Sequence, residues 1–378
     1  MSEPADDLDA LIGELNATAS KSGPLLDRAG RVEDWLADVV RRAGSDLLLV
    51  AGSTPAVRID GLLTHIGEAV LDGEDIEALI TPLLPPHAAR QYAGTGIADA
   101  SLRLPSLGRF RVNLHHERGR AAAAIRVLPN RVPSLNELNL PAEVEHLSRL
   151  GRGLVLIGGA TGSGKTTTLA ALVDAINRRD AKHIITVEDP VEYEHAHQVG
   201  LIEQVEIGID APDFPTALRA AVRQAPDILV IGEMRDHESM RIALSAAETG
   251  HLVFSSLHTT DVASTIGRIC DSFPNERQNT IRQELSLALS AVMIQSLLPR
   301  AGGGRVPAVE LLMVSYGARQ HIRKDALQHL HQEITITRKA GSMTLEESLG
   351  RLVRAGSISK AEALARSAHP DEMEGLLR

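Results

Sequence analysis

The sequence predicts an α/β protein in which a doubly wound parallel sheet is preceded by a smaller α+β domain and followed by a helical C-terminal region. Before residue 130, short alternating segments flank helical patterns, which is typical of an α+β domain. After residue 150, short runs of Val, Ile and Leu alternate with helical patterns, as buried parallel strands do. From about residue 278 onward, the apolar spacing is mainly helical.

The first domain is predicted to span 31–128, after a polar and acidic segment, 1–30, that we expect to be a flexible tail with one frayed helix at most. A helix is expected where apolar residues follow a helical period, at Val32, Trp35, Leu36, Val39 and Val40. Short strands at 45–63, a proline-interrupted helix at 71–92 and an antiparallel meander at 98–128 complete this domain.

The stretch 129–141 is dense in Pro and Asn and has no apolar period, so we expect a linker there. The second domain, 142–378, carries the apolar runs that we expect to be parallel strands, at 154–158, 184–188, 228–232 and 252–257. Farther along, capping-box spacing predicts two helix starts, at Thr344 with Glu347 and at Ser359 with Glu362.

The composition excludes several classes of protein. The 378 residues are 43% hydrophobic, which is enough for a sizeable core. Their formal net charge is −10, so the chain lacks the excess of basic residues that a protein needs to coat nucleic acid. An aromatic fraction of 2% disfavours a stacking platform for single strands. Cys270 is the one cysteine of the sequence, which excludes an internal disulfide and a four-cysteine zinc site. No apolar run reaches the roughly 18–20 residues that span a bilayer, and the N-terminus lacks the order of a signal peptide, so we expect an intracellular protein.

One segment matches the phosphate-loop pattern GxxxxGK[ST] in full. It follows an apolar run and precedes a helical pattern, which is the context that this pattern requires. Its glycines allow backbone N–H groups to face a phosphate, and a helix start adds its dipole. Lys165 is expected to contact phosphate oxygens and the Thr166 hydroxyl to bind Mg²⁺. The residues assigned to nucleotide binding are Gly159, Ala160, Thr161, Gly162, Ser163, Gly164, Lys165, Thr166 and Thr167.

Acidic residues follow two of the predicted strands. Glu188 and Asp189 end one apolar run, and Glu233 follows another. Open α/β sheets bind ligands at the carboxyl ends of their strands, and nucleotide hydrolysis needs groups that hold a metal and orient a water. Gly232 stands where such a strand end usually has Asp, so Glu233 alone must serve there. Acids after strands are also common as helix caps, but two of them downstream of a full phosphate loop favour catalysis.

From about residue 45 to the C-terminus, the chain resembles the type II/type IV secretion ATPase family, and within it the ATPases of pilus retraction in twitching motility. The resemblance is carried by AGSTPAVRIDGLL, GRFRVNLHHERG, GGATGSGKTTTLAALVDAIN, ITVEDPVEYEH and a long stretch that contains GEMRD, AAETGHLVF and LHT. It implies a RecA-like phosphate-loop ATPase core, a PAS-like N-terminal domain, and ATP and Mg²⁺ as ligands.

The resemblance also assigns roles to residues by position. Glu188 would be the general base that polarises the attacking water, and Glu233 would position Mg²⁺ or that water. His251 and His258 would sense or relay the state of the nucleotide, although a structural histidine is the alternative for each. The further motif residues are Asp189, Glu192, Arg235 and Asp236.

Two arginines of the small domain, Arg111 and Arg126, match positions that the family places against the γ-phosphate. A planar, permanently charged guanidinium suits the charge of a transferring phosphoryl group, and an arginine finger raises the rate by roughly 10³–10⁵. Placing it on a separate domain would couple hydrolysis to domain motion. Without the resemblance, a solvated basic strand face would be the preferred interpretation of these arginines.

The resemblance further implies a homo-hexamer with nucleotide between neighbouring subunits. The ring would dock on an inner-membrane platform protein at the pilus base, so we expect a cytoplasmic protein that associates peripherally with the inner membrane. A paralogous ATPase is a candidate partner, and nucleic acid is not expected as one.

Departures from the family pattern bear on whether the ATPase would drive retraction or extension of the pilus. Pilus-extension and type II secretion members carry a four-cysteine zinc element that this chain cannot build, which favours retraction. Retraction members carry a motif near AIRNLIR, where this chain has GARQHIR at 317–323, and Leu48 replaces an early family histidine. The alternatives are therefore a pilus or type II secretion assembly ATPase and an accessory nucleotide-binding paralogue of the retraction motor. A nucleic-acid translocase on the same core is disfavoured by the acidic charge.

Overall fold

A computed structural model describes residues 25–59 and 61–378 of the chain, with side chains from residue 31 onward. The short apolar periodicity expected within the tail, at Leu8, Leu11, Ile12 and Leu15, lies outside the described residues. The chain divides into two compact units, Met1–Asn130 and Arg131–Arg378. Each unit has its own core.

The first unit contains the predicted helix, the short strands, the interrupted helix and the meander. Its elements are α1 Leu25–Arg41, β1 Asp46–Val50, β2 Ala56–Ile59, β3 Leu62–His65, α2 Gly73–Ile80, a 3₁₀ turn Thr81–Leu83, α3 Pro86–Thr95, β4 Ala98–Leu104, β5 Gly108–Glu117 and β6 Arg120–Val127. Asp72 and Asp75 form a reciprocal capping box at the start of α2. Prolines separate α2 from α3, because a proline ring cannot continue a helix.

The strands of this unit form an antiparallel sheet in the order β3-β2-β1-β6-β5-β4. One row of cross-strand partners is buried in the core that also contains residues of α1 and α2: Val57, Leu47, Ile125 and Val112. Side chains alternate between the two faces of a strand. The neighbouring row therefore lies on the other face, and it is polar: Arg58, Asp46, Arg126 and Arg111.

The second unit alternates strands and helices before it becomes helical. Its elements are a 3₁₀ helix Ala142–Arg149, β7 Gly153–Gly158, α4 Lys165–Arg179, β8 His183–Glu188, β9 Leu201–Glu206, α5 Phe214–Ala221, β10 Ile228–Ile231, α6 His237–Glu248, β11 Leu252–Leu257, α7 Val262–Asp271, α8 Asn275–Ala288, β12 Leu289–Pro299, β13 Arg305–Met313, α9 Tyr316–Arg323, a 3₁₀ turn Leu327–His329, α10 Leu330–Ile336, a 3₁₀ turn Arg338–Ala340, α11 Leu345–Arg354, α12 Lys360–Arg366 and α13 Pro370–Leu377. Among the helices of the described residues, none is long and apolar enough to cross a membrane.

The central sheet has the order β13-β12-β7-β11-β10-β8-β9, and every neighbouring pair is parallel except β12 with β13. Leu154 and Leu156 of β7 enter one core, whereas Val155 and Ile157 enter another on the opposite face. Because both faces are covered, the strands are continuous apolar runs in the sequence. The parallel strands predicted at 154–158, 184–188, 228–232 and 252–257 are all present to within a residue.

The region from about residue 278 is mainly helical, as expected, but it also contains the hairpin of β12 and β13, which the sequence analysis did not predict. This hairpin extends the central sheet next to β7, and its turn contains three glycines with positive φ, at 302–304. An apolar run of this kind is compatible with a buried strand or a buried helix, and periodicity alone does not distinguish them. From α9 onward the region is helical as predicted. Thr344 forms the expected capping box with Glu347, and the Ser359 side chain caps α12.

Candidate nucleotide-binding site

The phosphate loop connects β7 to α4, and its backbone needs glycine. The φ angles of Gly159, Gly162 and Gly164 are 151°, 77° and 88°, in the region that other residues rarely adopt. A Cβ on Gly159 would lie 2.4 Å from the Gln295 carbonyl oxygen and 2.4 Å from Ser163 Oγ, so space also requires glycine there. The loop leads directly into the first turn of α4, where unpaired N–H groups and the helix dipole favour an anion.

The Lys165 ammonium lies inside this loop. Its Nζ donates to the carbonyl oxygens of Gly159 at 2.8 Å and Ala160 at 3.0 Å. Burial lowers the pKa of Lys165 from its ordinary value, and the negative charge of Glu233 partly opposes this. The loop therefore holds a poorly hydrated positive charge, which an anionic phosphate would compensate.

Gln295 of β12 fastens the loop to the sheet. Its Nε2 donates to the Ser163 carbonyl oxygen at 2.8 Å, and its Oε1 accepts from the Thr168 hydroxyl at 2.8 Å. Gln295 is buried, so both bonds are shielded from water. The sequence analysis did not identify Gln295. The available signal was a pair of polar residues, Gln295 and Ser296, inside the apolar run AVMIQSLL.

Glu188 ends β8, and two side chains hold its carboxylate. Thr186 Oγ1 donates to Oε1 at 2.7 Å, and Gln204 Nε2 approaches the same oxygen at 3.3 Å. Gln204 also donates to the Tyr193 carbonyl oxygen, which ties the carboxylate to the segment that follows β8. Burial raises the pKa of Glu188, and the two hydrogen bonds oppose that rise. A partly buried carboxylate of raised pKa is a better proton acceptor than one in water.

Glu233 follows β10 and lies beside His258, which follows β11. His258 Nε2 is 3.3 Å from Glu233 Oε1, and Arg235 Nε donates to Glu233 Oε2 at 2.9 Å. His258 Nδ1 lies 3.5 Å from Lys165 Nζ and 3.5 Å from Thr161 Oγ1. One continuous set of contacts therefore joins the phosphate loop to the acid at the end of β10.

Further predicted residues surround these two acids. Asp189 follows Glu188 and lies 3.7 Å from Arg235, which also pairs with Glu233. The charge of Glu192 is close enough to raise the pKa of Glu188. The Thr167 hydroxyl is 3.0 Å from the Tyr193 hydroxyl, so the start of α4 also contacts the segment that follows β8.

Two of the predicted motif residues, His251 and Asp236, do not take part in the contacts between the phosphate loop and Glu233. His251 precedes β11, whereas His258 follows it, so the strand separates His251 from the phosphate loop. The His251 ring lies at the amino end of the sheet, with Nδ1 2.9 Å from the Ala246 carbonyl oxygen. Asp236 caps α6, where it accepts hydrogen bonds from the Ser239 N–H at 2.8 Å and the Ser239 hydroxyl at 2.7 Å. The nucleotide-sensing role of His251 stays a prediction.

Arg111 and Arg126 belong to the first unit, where they lie directly opposite each other on β5 and β6. Arg126 Nε donates to Asp46 Oδ1 at 2.8 Å, and Arg111 lies 3.6 Å from Asp99. The Arg126 side chain is 67% exposed. Both guanidinium groups therefore lie on the polar face of the sheet, each next to one carboxylate of its own unit.

The residues of the loop fit a nucleotide polyphosphate with its magnesium ion. Ser163 Oγ is buried and has no hydrogen-bond partner within the part of the chain that the structure describes. This hydroxyl, the buried Lys165 ammonium and the glycine backbone all suit phosphate oxygens. The Thr166 hydroxyl and the Glu233 carboxylate are oxygen ligands of the type that Mg²⁺ prefers.

Comparison with known proteins identifies the family. Residues 101–369 match the family described as "Type II/IV secretion system protein", and the chain belongs to this family. It is 39% identical to the type IV pilus retraction ATPase PilT of Pseudomonas aeruginosa, over 90% of this chain and 99% of that protein. It is 33% identical to the type IV pilus ATPase PilU of the same organism, over 92% of this chain and 91% of that protein.

Solved structures agree with these relatives. The pilus retraction motor PilT with bound ADP matches this structure with a TM-score of 0.83 at 39% identity, over 90% of this chain and 98% of that one. The ATPase DotB of Legionella pneumophila matches with a TM-score of 0.75 at 25% identity, over 88% and 94% of the two chains. The predicted family and the predicted fold class are thereby confirmed.

Replacement of Gln295 by Met should weaken nucleotide binding. The change removes two buried hydrogen bonds that hold the loop, each worth about 0.5–1.5 kcal/mol, so we expect the Kd for ADP to rise about tenfold. Fluorescence anisotropy with labelled ADP measures this. Gln283→Met, at an exposed glutamine of α8, is the matched control and should bind ADP as the wild type does. An unchanged Kd in Gln295→Met would show that the loop does not depend on this side chain.

Proposed function

We propose that this chain hydrolyses ATP and that the hydrolysis powers retraction of a type IV pilus. The observation that carries the proposal is the set of contacts from Lys165 through His258 to Glu233, at the edge of the sheet where Glu188 also ends its strand. The 39% identity to PilT along nearly the whole of both chains supports the choice of a pilus retraction motor.

In the proposed reaction, this chain's residues first bind and orient the nucleotide. Lys165 and the backbone of the loop would hold the phosphate oxygens. Thr166 and Glu233 would hold Mg²⁺, which when bound supplies positive charge to the phosphate oxygens. His258 touches Thr161, Lys165 and Glu233, so we infer that it senses whether the loop is occupied.

Glu188 is the proposed general base. Thr186 and Gln204 fix one of its oxygens, and burial keeps its proton affinity high. A water that attacks the γ-phosphorus would pass its proton to this carboxylate while the bond to the β-phosphate oxygen breaks, giving ADP and inorganic phosphate. On the family resemblance, Arg111 and Arg126 would stabilise the charge of the transferring group.

We also propose the assembly that the resemblance implies. This is a homo-hexamer that works beside an inner-membrane platform protein at the pilus base, with a paralogous ATPase as a further partner. The second candidate function is that of an accessory nucleotide-binding paralogue with little turnover. The chain is 33% identical to the type IV pilus ATPase PilU along most of both chains, which is less than its 39% identity to PilT. Turnover by the isolated protein distinguishes these two functions, because an accessory subunit would bind ATP without hydrolysing it.

Lys165→Ala and Glu233→Gln should abolish ATP hydrolysis by the purified protein, because each removes a charge that the proposed mechanism needs. Arg111→Ala and Arg126→Ala should each lower kcat by roughly 10³-fold or more, the effect of losing an arginine finger. Release of phosphate under saturating ATP measures kcat.

Arg120→Ala is the matched control for the arginines, because Arg120 is an exposed residue of the same strand as Arg126. It should leave kcat within a factor of two, roughly the scatter of a surface substitution. Wild-type turnover in both Lys165→Ala and Glu233→Gln would refute the proposed hydrolysis.

The pH profile tests Glu188. A general base works only when it is ionised, so the rate should fall on acidification through a pKa that burial has raised. Thr186→Val removes a hydrogen bond to the ionised carboxylate, which raises its pKa further. The acid limb of kcat/KM should therefore move to higher pH by about one unit, since a bond to a charged group is worth about 1.5–3 kcal/mol.

Ser255→Ala is the control for this profile. The Ser255 hydroxyl is also buried within the central sheet, but it donates to the Ile231 carbonyl oxygen and not to Glu188. Its acid limb should stay at the wild-type position. A Thr186→Val profile that coincides with the wild type would exclude Glu188 as the group that titrates.

Deletion of the gene tests whether the protein drives retraction or assembly of the pilus. Loss of a retraction motor should give cells with excess pili that no longer move by twitching, and the wild-type gene should restore movement where Lys165→Ala does not. Electron microscopy counts the pili, and plate assays score movement. Cells without pili would indicate an assembly ATPase instead.

A further inference from the structure

Three side chains with metal-ligating atoms converge in the helical C-terminal region. His331 of α10, Glu346 of α11 and Glu372 of α13 each offer one such atom, and these atoms lie within 4.8 Å of one another. Two of these atoms, His331 Nε2 and Glu372 Oε2, are in direct contact at 3.0 Å. Three separate helices supply the three groups, so the fold of this region is what brings them together.

Groups around the cluster hold both carboxylates in place. Glu346 is 1% exposed, and its Oε1 accepts from the Ser367 hydroxyl and from the N–H groups of Ala368 and His369, each at 3.0 Å. Oε1 of Glu372 accepts from the Thr344 hydroxyl at 3.3 Å, while its Oε2 faces His331. Outer groups that orient the inner ligands in this way are a general property of metal sites.

The His331 ring is held as well. It packs against the ring of His369 with a centroid separation of 3.8 Å, and its Nε2 faces Glu372. A ring that is packed on one side and hydrogen-bonded at its edge presents its nitrogen in a constant direction. The three groups are therefore oriented before any cation arrives, which lowers the entropy cost of binding.

The charges of the cluster favour a cation. Two of its three groups are carboxylates, and the Glu346 carboxylate is buried. Arg338 lies 3.5 Å from Glu372 but pairs more closely with Glu347, at 3.1 Å. A buried carboxylate beside a second carboxylate is stabilised by a proton or by a bound cation.

We propose that His331, Glu346 and Glu372 bind a divalent transition-metal ion of the zinc class. An imidazole nitrogen with two carboxylate oxygens suits Zn²⁺ or Mn²⁺ better than Mg²⁺ or Ca²⁺, which prefer all-oxygen sites. Bonds of about 2.0–2.2 Å in a tetrahedral site place ligand atoms about 3.3–3.6 Å apart. The His331–Glu372 pair, at 3.0 Å, is already near this separation, and the third ligand atom lies within 4.8 Å of both.

The bound ion would link α10, α11 and α13 into one rigid body. It would also replace repulsion between two carboxylates by attraction to a common centre. This role is independent of the Mg²⁺ proposed at the phosphate loop, because none of its ligands belongs to that loop. The alternative is a direct ion pair between His331 and Glu372 with no metal bound. It predicts that the thermal stability of the protein does not depend on metal.

The proposal is tested on the full chain, from which a chelator has first removed any bound metal. The chain is then titrated with Zn²⁺ in the presence of excess Mg²⁺. Calorimetry should show one tight equivalent, and the midpoint of thermal unfolding should rise by roughly 5 °C with Zn²⁺ at about a hundred times its Kd. His331→Gln and Glu372→Gln should each weaken this equivalent at least tenfold and abolish the thermal shift.

Two choices keep the test decisive. Glu372 and His331 are half-buried, so their variants should fold even if a change at the buried Glu346 does not. His329→Gln is the matched control, because the His329 ring contacts His321 and lies outside the cluster. It should keep the tight equivalent and the shift. A wild type that binds no Zn²⁺, or variants at 331 and 372 that bind as the wild type does, would overturn the proposal.

Discussion

The parallel direction of β7, β11, β10 and β8 is the constraint on which the candidate site depends. Parallel strands that neighbour each other end at the same edge of the sheet. The phosphate loop, His258, Glu233 and Glu188 follow these strands in the order β7, β11, β10, β8. Residues that are up to 97 positions apart, such as Thr161 and His258, are therefore within 3.5 Å.

The strand end at β10 carries its acid one position later than usual, because Gly232 stands where such a strand end usually has Asp. A Cβ on Gly232 would lie 3.4 Å from the Glu188 Cα and 3.4 Å from the Val187 carbonyl oxygen, which is ordinary van der Waals contact. The strand end of Glu188 is therefore the immediate neighbour of position 232. The acid at the next position, Glu233, lies beside His258.

Much of this could be predicted from the sequence, because the parallel strands are continuous apolar runs and the loop has a full motif. Two parts could not. The strand β9, LIEQVE, lies at the sheet edge, and three of its six residues are polar, so it lacks the apolar run of a buried strand. The hairpin of β12 and β13 has such runs, but their length also suits a buried helix. The role of Gln295 depends on that hairpin, and it therefore became visible only with the fold.

For Arg126, the energetics of its own unit are compatible with the proposed role at a phosphate. Its ion pair with Asp46 involves an arginine that is 67% exposed, and such pairs are worth about 0–1 kcal/mol. Asp46 also lies 3.5 Å from Arg58 and accepts from the Ser45 hydroxyl at 2.7 Å, so it keeps partners when Arg126 leaves. Release of Arg126 is therefore inexpensive.

An arginine that stabilises phosphoryl transfer by 10³–10⁵ in rate contributes roughly 4–7 kcal/mol to the transition state. In the proposed role, the guanidinium would therefore gain more in the transition state at a phosphate than its ion pair with Asp46 supplies. The Asp46 carboxylate would then be a weak holding partner that does not compete for Arg126 during the reaction.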